Sequence, residues 1–379
     1  MKKLALTIFF DSFALMLLGL IIVMSASSTY SVFKFDSVFY MFNSHLFKVG
    51  FGILLIITFS FIPYEIYRSI SKPAAIFTLI LLFVTLFFAP SIKGAGRWLD
   101  LGFISIQPAN IAMFTLIIHL AALLEDKTNL IDNYRHGFLY LFIWIMLFAG
   151  LIMLQPNISS GIMLIAISLI IVYVGGARLK HILVSILASA VVIGPAAMIF
   201  SHSRSRILSF VESFFNGGDL NFQVKQALYS LGSGGIFGVG IGNSMQSNLF
   251  LPEAYGDFIF AILGEETGLI GAMLVLLSYL ILFVTGILIA KKATDKFGQL
   301  LAFGITLTVT LYAFVNVAVT TGMLPTTGLP LPFISYGGTF LIFMCISTGI
   351  LINIALTNHM RQKSNIDTNL TNDMNNGHV

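Results

Sequence analysis

The sequence predicts an all-α polytopic membrane protein with about ten transmembrane helices and one large extracytoplasmic loop between helices 7 and 8. Of its 379 residues, 57% are hydrophobic and only 9% are charged, which leaves too little polar surface to cover a soluble globule. Apolar stretches long enough to cross a hydrocarbon core of roughly 30 Å recur along almost the whole chain. Together these observations exclude a soluble enzyme.

Ten apolar segments account for the predicted helices, and an even number places both termini on one side of the membrane. The Met-Lys-Lys start could also mark a signal peptide, but Asp11 interrupts the first apolar run and favours a retained helix. Helices 1–7 lie within residues 1–200, and helices 8–10 lie within residues 258–357. The expected spans are 5–24, 46–63, 73–90, 105–124, 138–155, 160–175, 182–200, 258–289, 300–320 and 333–356.

The distribution of basic residues predicts the orientation, because Lys and Arg concentrate in cytoplasmic loops. One side of the predicted topology carries 13 of them and the other carries 7, so the termini are expected in the cytoplasm and the protein in the cytoplasmic (inner) membrane. The net charge of +4 is assigned to contact with anionic headgroups, and no nucleic-acid partner is predicted. Residues 358–379, rich in Asn, Asp and Thr, are expected to form a disordered cytoplasmic tail.

The loop at residues 201–257 is too long for a simple connection and is expected to be functional. Its apolar and amphipathic pieces predict re-entrant or interfacial helices. The Gly-rich run 232–246 has two interpretations, tight turns and close packing or a backbone cradle for phosphate. The loop ends at Asp257, a carboxylate at the edge of a membrane span, which is costly unless it has a function.

Several motifs in order along the chain resemble the SEDS family (shape, elongation, division and sporulation). They include the run 232–246, Leu251-Pro-Glu-Ala-Tyr-Gly-Asp257, Gly264-Glu-Glu266 and Gly322-Met-Leu-Pro-Thr-Thr-Gly328 with its continuation to Gly338. Upstream, Gly94-Ala-Gly-Arg-Trp98, Gln107-Pro108 and Leu154-Gln-Pro156 fall where that family has its signatures, and the likeness covers residues 5–357. Met24-Ser-Ala-Ser-Ser28 and Leu324-Pro-Thr-Thr-Gly328 favour the division branch, typified by FtsW, over the elongation branch, typified by RodA.

The resemblance implies a SEDS-type helix bundle that polymerises lipid II into glycan strands at the outer face of the membrane. The family's catalytic Asp corresponds to Asp257, which would act as a general base on the acceptor hydroxyl while polyprenyl diphosphate leaves. The implied partners are a class B penicillin-binding protein (a transpeptidase) and other divisome or elongasome proteins. A divalent cation, Mg²⁺ or Mn²⁺, is a possible cofactor for the departing diphosphate.

Other candidate residues follow from charge, position and resemblance. Arg97 is the first choice for binding the diphosphate, with an interfacial anchor beside Trp98 as the alternative; Arg204 and Arg206 lie on the same side. Substrate binding is predicted for Arg97, Lys225, Gln226, Asn243, Gln246, Glu253 and Ser335. A structural or tuning role is predicted for Gln107, Gln155, Asn157, Glu265 and Glu266.

The chain departs from the usual family pattern at several polar positions. Asn110 and Met113 replace an acid and a base that are neighbours on a helix, and Asn157 replaces an Asp. Tyr255-Gly256 stands where His-Thr often precedes the catalytic Asp. These changes leave open the hypothesis of a catalytically weak scaffold for a transpeptidase. Ten spans, half-buried acids and helices interrupted by Gly and Pro leave open a second hypothesis of another class, a lipid-linked precursor flippase or transporter.

Overall fold

A computed structural model describes residues 1–89, 96–100, 105–128, 130–218, 220–248 and 250–375. The chain is almost entirely helical, with a short π-helical turn at Tyr134–Phe138 before α5. The helices are α1 (Lys2–Phe35), α2 (Tyr40–Phe61), α3 (Glu65–Phe88), α4 (Pro108–Asp126), α5 (Leu139–Leu154), α6 (Ile158–Val174), α7 (Leu179–Ile199), α8 (Ser201–Asn216), α9 (Phe222–Gly234), α10 (Ile259–Lys292), α11 (Lys296–Thr320) and α12 (Thr339–Asn375).

Ten of these helices coincide with the ten predicted segments, which confirms the fold class. Within the described residues, eight helices are long and apolar enough to span a membrane. The other two are α6 and α7, and the 17 residues of α6 reach about 25 Å at 1.5 Å per residue. The remaining helices, α8 and α9, lie in the long loop before α10, where the sequence predicts re-entrant or interfacial helices.

The C-terminal end differs from the sequence-based expectation. Where a disordered tail is expected from residue 358, α12 continues as a helix to Asn375. Residues 350–375 contain neither Pro nor Gly, and extending a helix that already exists needs no new nucleation. Residues 376–379 lie outside the described part of the chain.

A short β-hairpin, with two residues in each strand, lies immediately before α4. Its strands β1 (Leu99–Asp100) and β2 (Ser105–Ile106) are antiparallel, with Leu99 opposite Ile106. The hairpin places Arg97 and Trp98 beside the first turn of α4, which begins at Pro108, a residue well suited to the first helical position.

The most buried spans are α4 and α12. α12 packs along α1 and α2, while α4 packs against α3, α6 and α11, and α10 lies between α1, α9 and α11. Two glycines permit the close approach of α2 and α12: a Cβ at Gly52 would lie 2.7 Å from Cys345 Sγ, and one at Gly349 would lie 2.7 Å from the Ile56 carbonyl oxygen. Small residues at such contacts are typical of membrane bundles.

A polar network closes one end of the bundle. Arg361 on α12 donates hydrogen bonds to Glu65 and to the Tyr64 hydroxyl (3.0 Å). Its Nη1 also lies 3.6 Å from Asp295 Oδ1. Thr339, at the other end of α12, is 22 residues away, which is about 33 Å along a helix. The cavity described next, to which Thr339 contributes, therefore lies at the end of the bundle opposite this network.

Candidate active site

A cavity of about 1280 Å³ opens at the Thr339 end of the bundle. It is enclosed by α2, the segment before α4, α8, the loop before α10 and the loop before α12. Its charged and polar lining residues are Ser44, Lys48, Arg97, Ser105, Gln107, Ser205, Arg206, Asn221, Gln223, Glu253, Tyr255, Asp257, Tyr336 and Thr339; its other aromatic residues are Phe47, Phe51, Trp98 and Phe340.

Asp257 lies in this cavity two residues before α10 begins, and its backbone is held from two sides. Asn316 on α11, fully buried, donates from Nδ2 to the Asp257 carbonyl (2.7 Å) and to the Leu329 carbonyl (2.8 Å). Ser335 Oγ donates to the Gly256 carbonyl at 2.8 Å, and Ser335 is itself buried. Contacts from α11 and from the loop before α12 therefore fix the backbone that carries the Asp257 carboxylate.

Two arginines share the cavity with Asp257. Burial lowers the pKa of the Arg206 guanidinium, and the charge of Asp257 opposes that shift. Burial and the charge of Arg206 lower the pKa of Arg97, which Asp257 again opposes. Both side chains stay protonated, because an arginine cannot lose its proton in a protein. The cavity therefore combines the Asp257 carboxylate, a candidate base, with two cations that interact with it and with each other.

The two guanidinium groups are anchored to backbone carbonyls. Arg97 donates from Nη2 to the Pro156 carbonyl, and its buried Nε has no hydrogen-bond partner among the described residues. Arg206 donates from Nη1 to the Thr326 carbonyl at 3.3 Å. A third cation, Lys48 on α2, lies with Nζ 4.3 Å from the centre of the Tyr336 ring. Such a set of cations suits an anionic ligand.

Gly328 lines the part of the cavity next to Asp257 and Arg206. Its φ of +75° lies in the left-handed region that favours glycine. A Cβ at this position would lie 3.3 Å from Asp257 Oδ2 and 3.8 Å from Arg206 Nη1. The absence of a side chain at Gly328 therefore keeps space beside both groups.

The Gly-rich run packs against a break in α10. At Gly268 the backbone leaves the helical conformation (φ 68°, ψ −170°). The broken turn pairs with the run: Val239 N donates to the Glu265 carbonyl (2.9 Å), and Leu269 N donates to the Gly235 carbonyl (2.9 Å). A Cβ at Gly238 would lie 2.1 Å from the Glu266 carbonyl oxygen, so the approach requires glycine. These contacts favour the packing interpretation of the run.

The carboxylates of Glu265 and Glu266 complete this attachment. Glu265, 2% exposed, accepts hydrogen bonds from Ser230 Oγ (2.7 Å), Ser244 Oγ (2.6 Å) and Met245 N (2.9 Å). Glu266 accepts from Gly242 N (3.1 Å) and from Ser25 Oγ on α1. Neither residue lines the cavity. Both fasten the loop that leads to Asp257 onto the membrane bundle.

Glu265→Leu is expected to destabilise the protein by about 3 kcal/mol or more, because three buried donors would lose their acceptor at nearly constant side-chain volume. Thermal unfolding can be followed with a thiol-reactive dye, since Cys345 is the only cysteine in the sequence and is buried. Glu212→Leu, at an exposed carboxylate on α8, is the matched control. Equal melting temperatures for the two variants would contradict the structural role of Glu265.

Comparison with known proteins decides the family. The sequence profile of the FtsW/RodA/SpoVE family, described as cell cycle protein, matches residues 5–360. The chain belongs to this family. It is 33% identical over 347 residues to the probable peptidoglycan glycosyltransferase FtsW of Coxiella burnetii, covering 90% of this chain and 93% of the relative. It is 34% identical to stage V sporulation protein E of Bacillus subtilis, with 90% and 94% covered.

Solved structures agree in fold with this FtsW/RodA/SpoVE protein. A chain of a peptidoglycan synthase complex that coordinates polymerization and crosslinking is similar with a TM-score of 0.74 and 22% identity, covering 93% of this chain and 97% of that one. The rod shape determining protein RodA of Thermus thermophilus has a TM-score of 0.69 and 23% identity, with 93% and 96% covered. The membership and the helices together make this a multi-pass membrane protein.

Five of the candidate residues named from the sequence of this family member meet in the cavity: Asp257, Arg97, Arg206, Glu253 and Gln107. Gln107 accepts from Asn110 Nδ2 at 3.2 Å, so the neutral replacement at position 110 still has a polar neighbour. Gln155 donates to the Leu82 carbonyl (3.0 Å) and Asn157 is buried, both outside the cavity lining.

The other predicted substrate-binding residues do not line the cavity. Lys225 is exposed on α9, since that helix buries Val224, Ala227 and Ser230. Asn243 donates to the Val239 carbonyl (3.1 Å), within the Gly-rich run. Ser335 braces the Gly256 carbonyl instead of facing the cavity. The remaining two, Gln226 and Gln246, also lie outside the lining.

No role was predicted from the sequence for the cavity residues Lys48 and Gly328, or for Asn316, which holds the Asp257 carbonyl. Lys48 falls inside an apolar run, where a charge is a functional signal, and Asn316 likewise interrupts the apolar sequence of α11. Arg206 was only one of several basic candidates, and nothing in the sequence separates it from Arg204. No sequence signal marks Gly328 as the residue beside Asp257, because the contact joins residues 71 positions apart.

Proposed function

We propose that this protein is a peptidoglycan glycosyltransferase that polymerises lipid II at the outer face of the cytoplasmic membrane. The observation that carries the proposal is the cavity in which Asp257 lies with Arg97 and Arg206, in a chain that belongs to the FtsW/RodA/SpoVE family. Several of its similar relatives are named as FtsW glycosyltransferases, which supports a role in cell division over one in elongation.

In the proposed reaction Asp257 is the general base. It accepts the proton of the acceptor sugar hydroxyl as that oxygen forms a bond to the anomeric carbon of the donor. The bond between the anomeric carbon and the diphosphate oxygen breaks on the opposite face, and the configuration inverts. Arg97 and Arg206, and Lys48 across the cavity, stabilise the charge that develops on the departing polyprenyl diphosphate.

A divalent cation, Mg²⁺ or Mn²⁺, remains part of the proposal. Glu253 and Asp257 both line the cavity, and Mg²⁺ is commonly bound by one or two carboxylates together with substrate phosphates. Such an ion would neutralise charge on the leaving group. No cluster of three or more His, Cys, Asp or Glu side chains occurs in the part of the chain that the structure describes. Loss of activity in EDTA, restored by adding Mg²⁺ or Mn²⁺, is the expected result.

The proposed orientation places both termini in the cytoplasm, because 13 of the 20 basic residues fall on that side of the topology. The polar network around Arg361 would then face the cytoplasm and Asp257 the outside. A class B transpeptidase is the proposed partner, and a chain of a peptidoglycan synthase complex has the same fold.

The test is polymerisation of purified lipid II by the full-length protein in lipid nanodiscs, alone and with its cognate transpeptidase. Glycan ladders support the proposed function. Movement of lipid II between the leaflets of proteoliposomes without polymer would instead favour the flippase hypothesis. Transpeptidase binding without polymer, under conditions in which a related polymerase is active, would favour the scaffold.

Arg206→Ala is expected to reduce kcat/KM for polymerisation by roughly 10- to 100-fold, the loss that corresponds to one hydrogen-bonded contact with a charged group. Arg206→Lys should retain part of the activity, because a point charge remains but the planar pair of donors does not. Arg204→Ala is the control, since Arg204 is exposed on the same helix and does not line the cavity. A similar loss in both alanine variants would show that general surface charge, not the cavity, is responsible.

A further inference from the structure

Tyr255 lies in the cavity two residues before Asp257 and has no role in the charge chemistry described above. Its ring centre is 5.1 Å from that of Tyr30 and 5.9 Å from that of Tyr336. The planes of Tyr255 and Tyr336 are nearly perpendicular, at 88°, an edge-to-face arrangement that aromatic pairs favour. Tyr255 and Tyr336 both line the cavity and are half-buried.

The pair is held rigidly by backbone and side-chain contacts. Tyr336 N donates to the Tyr255 carbonyl at 2.9 Å, which ties the two residues together. The Tyr336 hydroxyl donates to Ser44 Oγ on α2 at 3.3 Å, and Lys48 lies over the Tyr336 ring. Side chains whose geometry is already fixed lose little entropy when a ligand binds.

Rigid aromatic rings beside a base suit a sugar. A pyranose presents a face of C–H groups, which are weakly positive, and an aromatic ring presents a negative face. Burial raises the pKa of the Tyr255 phenol, and Glu253 and a hydrogen bond with Tyr30 add to the shift. Because the hydroxyl is engaged with Tyr30, the ring is the part of Tyr255 that a sugar would contact. The cations of the cavity account for a diphosphate, but they provide no apolar surface for the saccharide.

We propose that Tyr255, oriented by Tyr336, is a saccharide-binding residue whose ring packs against a pyranose of the glycan next to Asp257. The inference rests on the proposed polymerase function and adds a sugar subsite to it.

The test uses a soluble tetrasaccharide of four GlcNAc units, which carries no lipid, phosphate or carboxylate, so binding reports the sugar subsite alone. Its affinity for the full-length protein in nanodiscs is measured by saturation-transfer NMR. Tyr255→Leu is expected to weaken binding about fivefold, the effect of losing one aromatic contact. Tyr255→Phe should stay within about twofold of wild type, since the ring remains.

The matched control is Tyr229→Leu, at an exposed tyrosine of α9 that does not line the cavity. Wild-type affinity in Tyr255→Leu, equal weakening in Tyr229→Leu, or no binding of the tetrasaccharide to wild type would each overturn the subsite. If Tyr255→Leu does not fold, Tyr255→His is the substitute. Its affinity is expected to be lower than that of Tyr255→Phe but to fall by less than the fivefold expected for complete loss of the ring.

The polymerisation assay separates this inference from the proposed function. With the subsite present, Tyr255→Leu raises KM for lipid II while kcat changes little, because Asp257 is intact. An active wild type with an unchanged KM in Tyr255→Leu contradicts the subsite alone. An inactive wild type that still binds the tetrasaccharide contradicts the polymerase and leaves a saccharide-binding site in place.

Discussion

Asp257→Asn is expected to lower the rate of glycan polymerisation by about 10²- to 10⁴-fold, the usual contribution of a general base. The amide has nearly the same size and can keep the same backbone contacts with Asn316, but it cannot accept the proton of the acceptor hydroxyl. Glycan products are measured by gel after single-turnover and extended incubation with lipid II. Binding of the lipid substrate should be retained, because the cations are unchanged.

Asp36→Asn is the control for this prediction. Asp36 is an exposed carboxylate at the end of α1 with a positive φ of 53°, a conformation that Asn also tolerates. It should polymerise lipid II at the wild-type rate. Full activity of Asp257→Asn would remove Asp257 from the chemistry and require another base, with Glu253 the next carboxylate in the cavity.

Gly328→Ala should reduce polymerisation by about 10²-fold, even though it adds a single methyl group. That methyl would lie 3.3 Å from Asp257 Oδ2 and 3.8 Å from Arg206 Nη1, in the space that a substrate atom between them must use. A displacement of about 1 Å at a reacting centre can cost this much. The measurement is kcat for lipid II polymerisation, with protein stability followed in parallel.

The control must match the backbone strain as well as the residue type. Gly217, at the end of α8, has a φ of +66°, close to the +75° of Gly328, and a Cβ there would meet nothing within 4 Å. Gly217→Ala therefore bears the same strain of about 1–2 kcal/mol without entering the cavity. If both variants lose activity equally, strain in the loop and not the space beside Asp257 explains the loss.

The helices could be predicted from the sequence because a membrane span requires a continuous apolar run. The run 258–289 predicts α10, and the run 46–63 predicts most of α2. The run 258–289 is long enough to be tilted or broken, but the position of the break at Gly268 could not be predicted. A glycine in an apolar helix is common, and only the pairing with the Gly-rich run shows that this one interrupts the helix.

The candidate site was predicted only where a residue carries its own signal. Asp257 and Arg97 stand out as charges in motifs, and both lie in the cavity. Lys225 also carries a charge, but the rotation of α9 exposes it and turns Asn221 and Gln223 at the start of that helix towards the cavity. The rotation depends on which face packs against α10, and the polar sequence around Lys225 does not specify that face.

The attachment of the loop at residues 201–257 to α10 has a mechanical consequence. Glu265 lies eight residues after Asp257 and six residues into α10 from Ile259, about 9 Å along the helix, and its carboxylate and backbone hold the loop at that level. Lifting the loop would leave two acids and the broken helix backbone without partners in the hydrocarbon region. A pull on this loop is therefore transmitted to α10 on both sides of the break at Gly268, because Glu265 and Leu269 are both hydrogen-bonded to the loop.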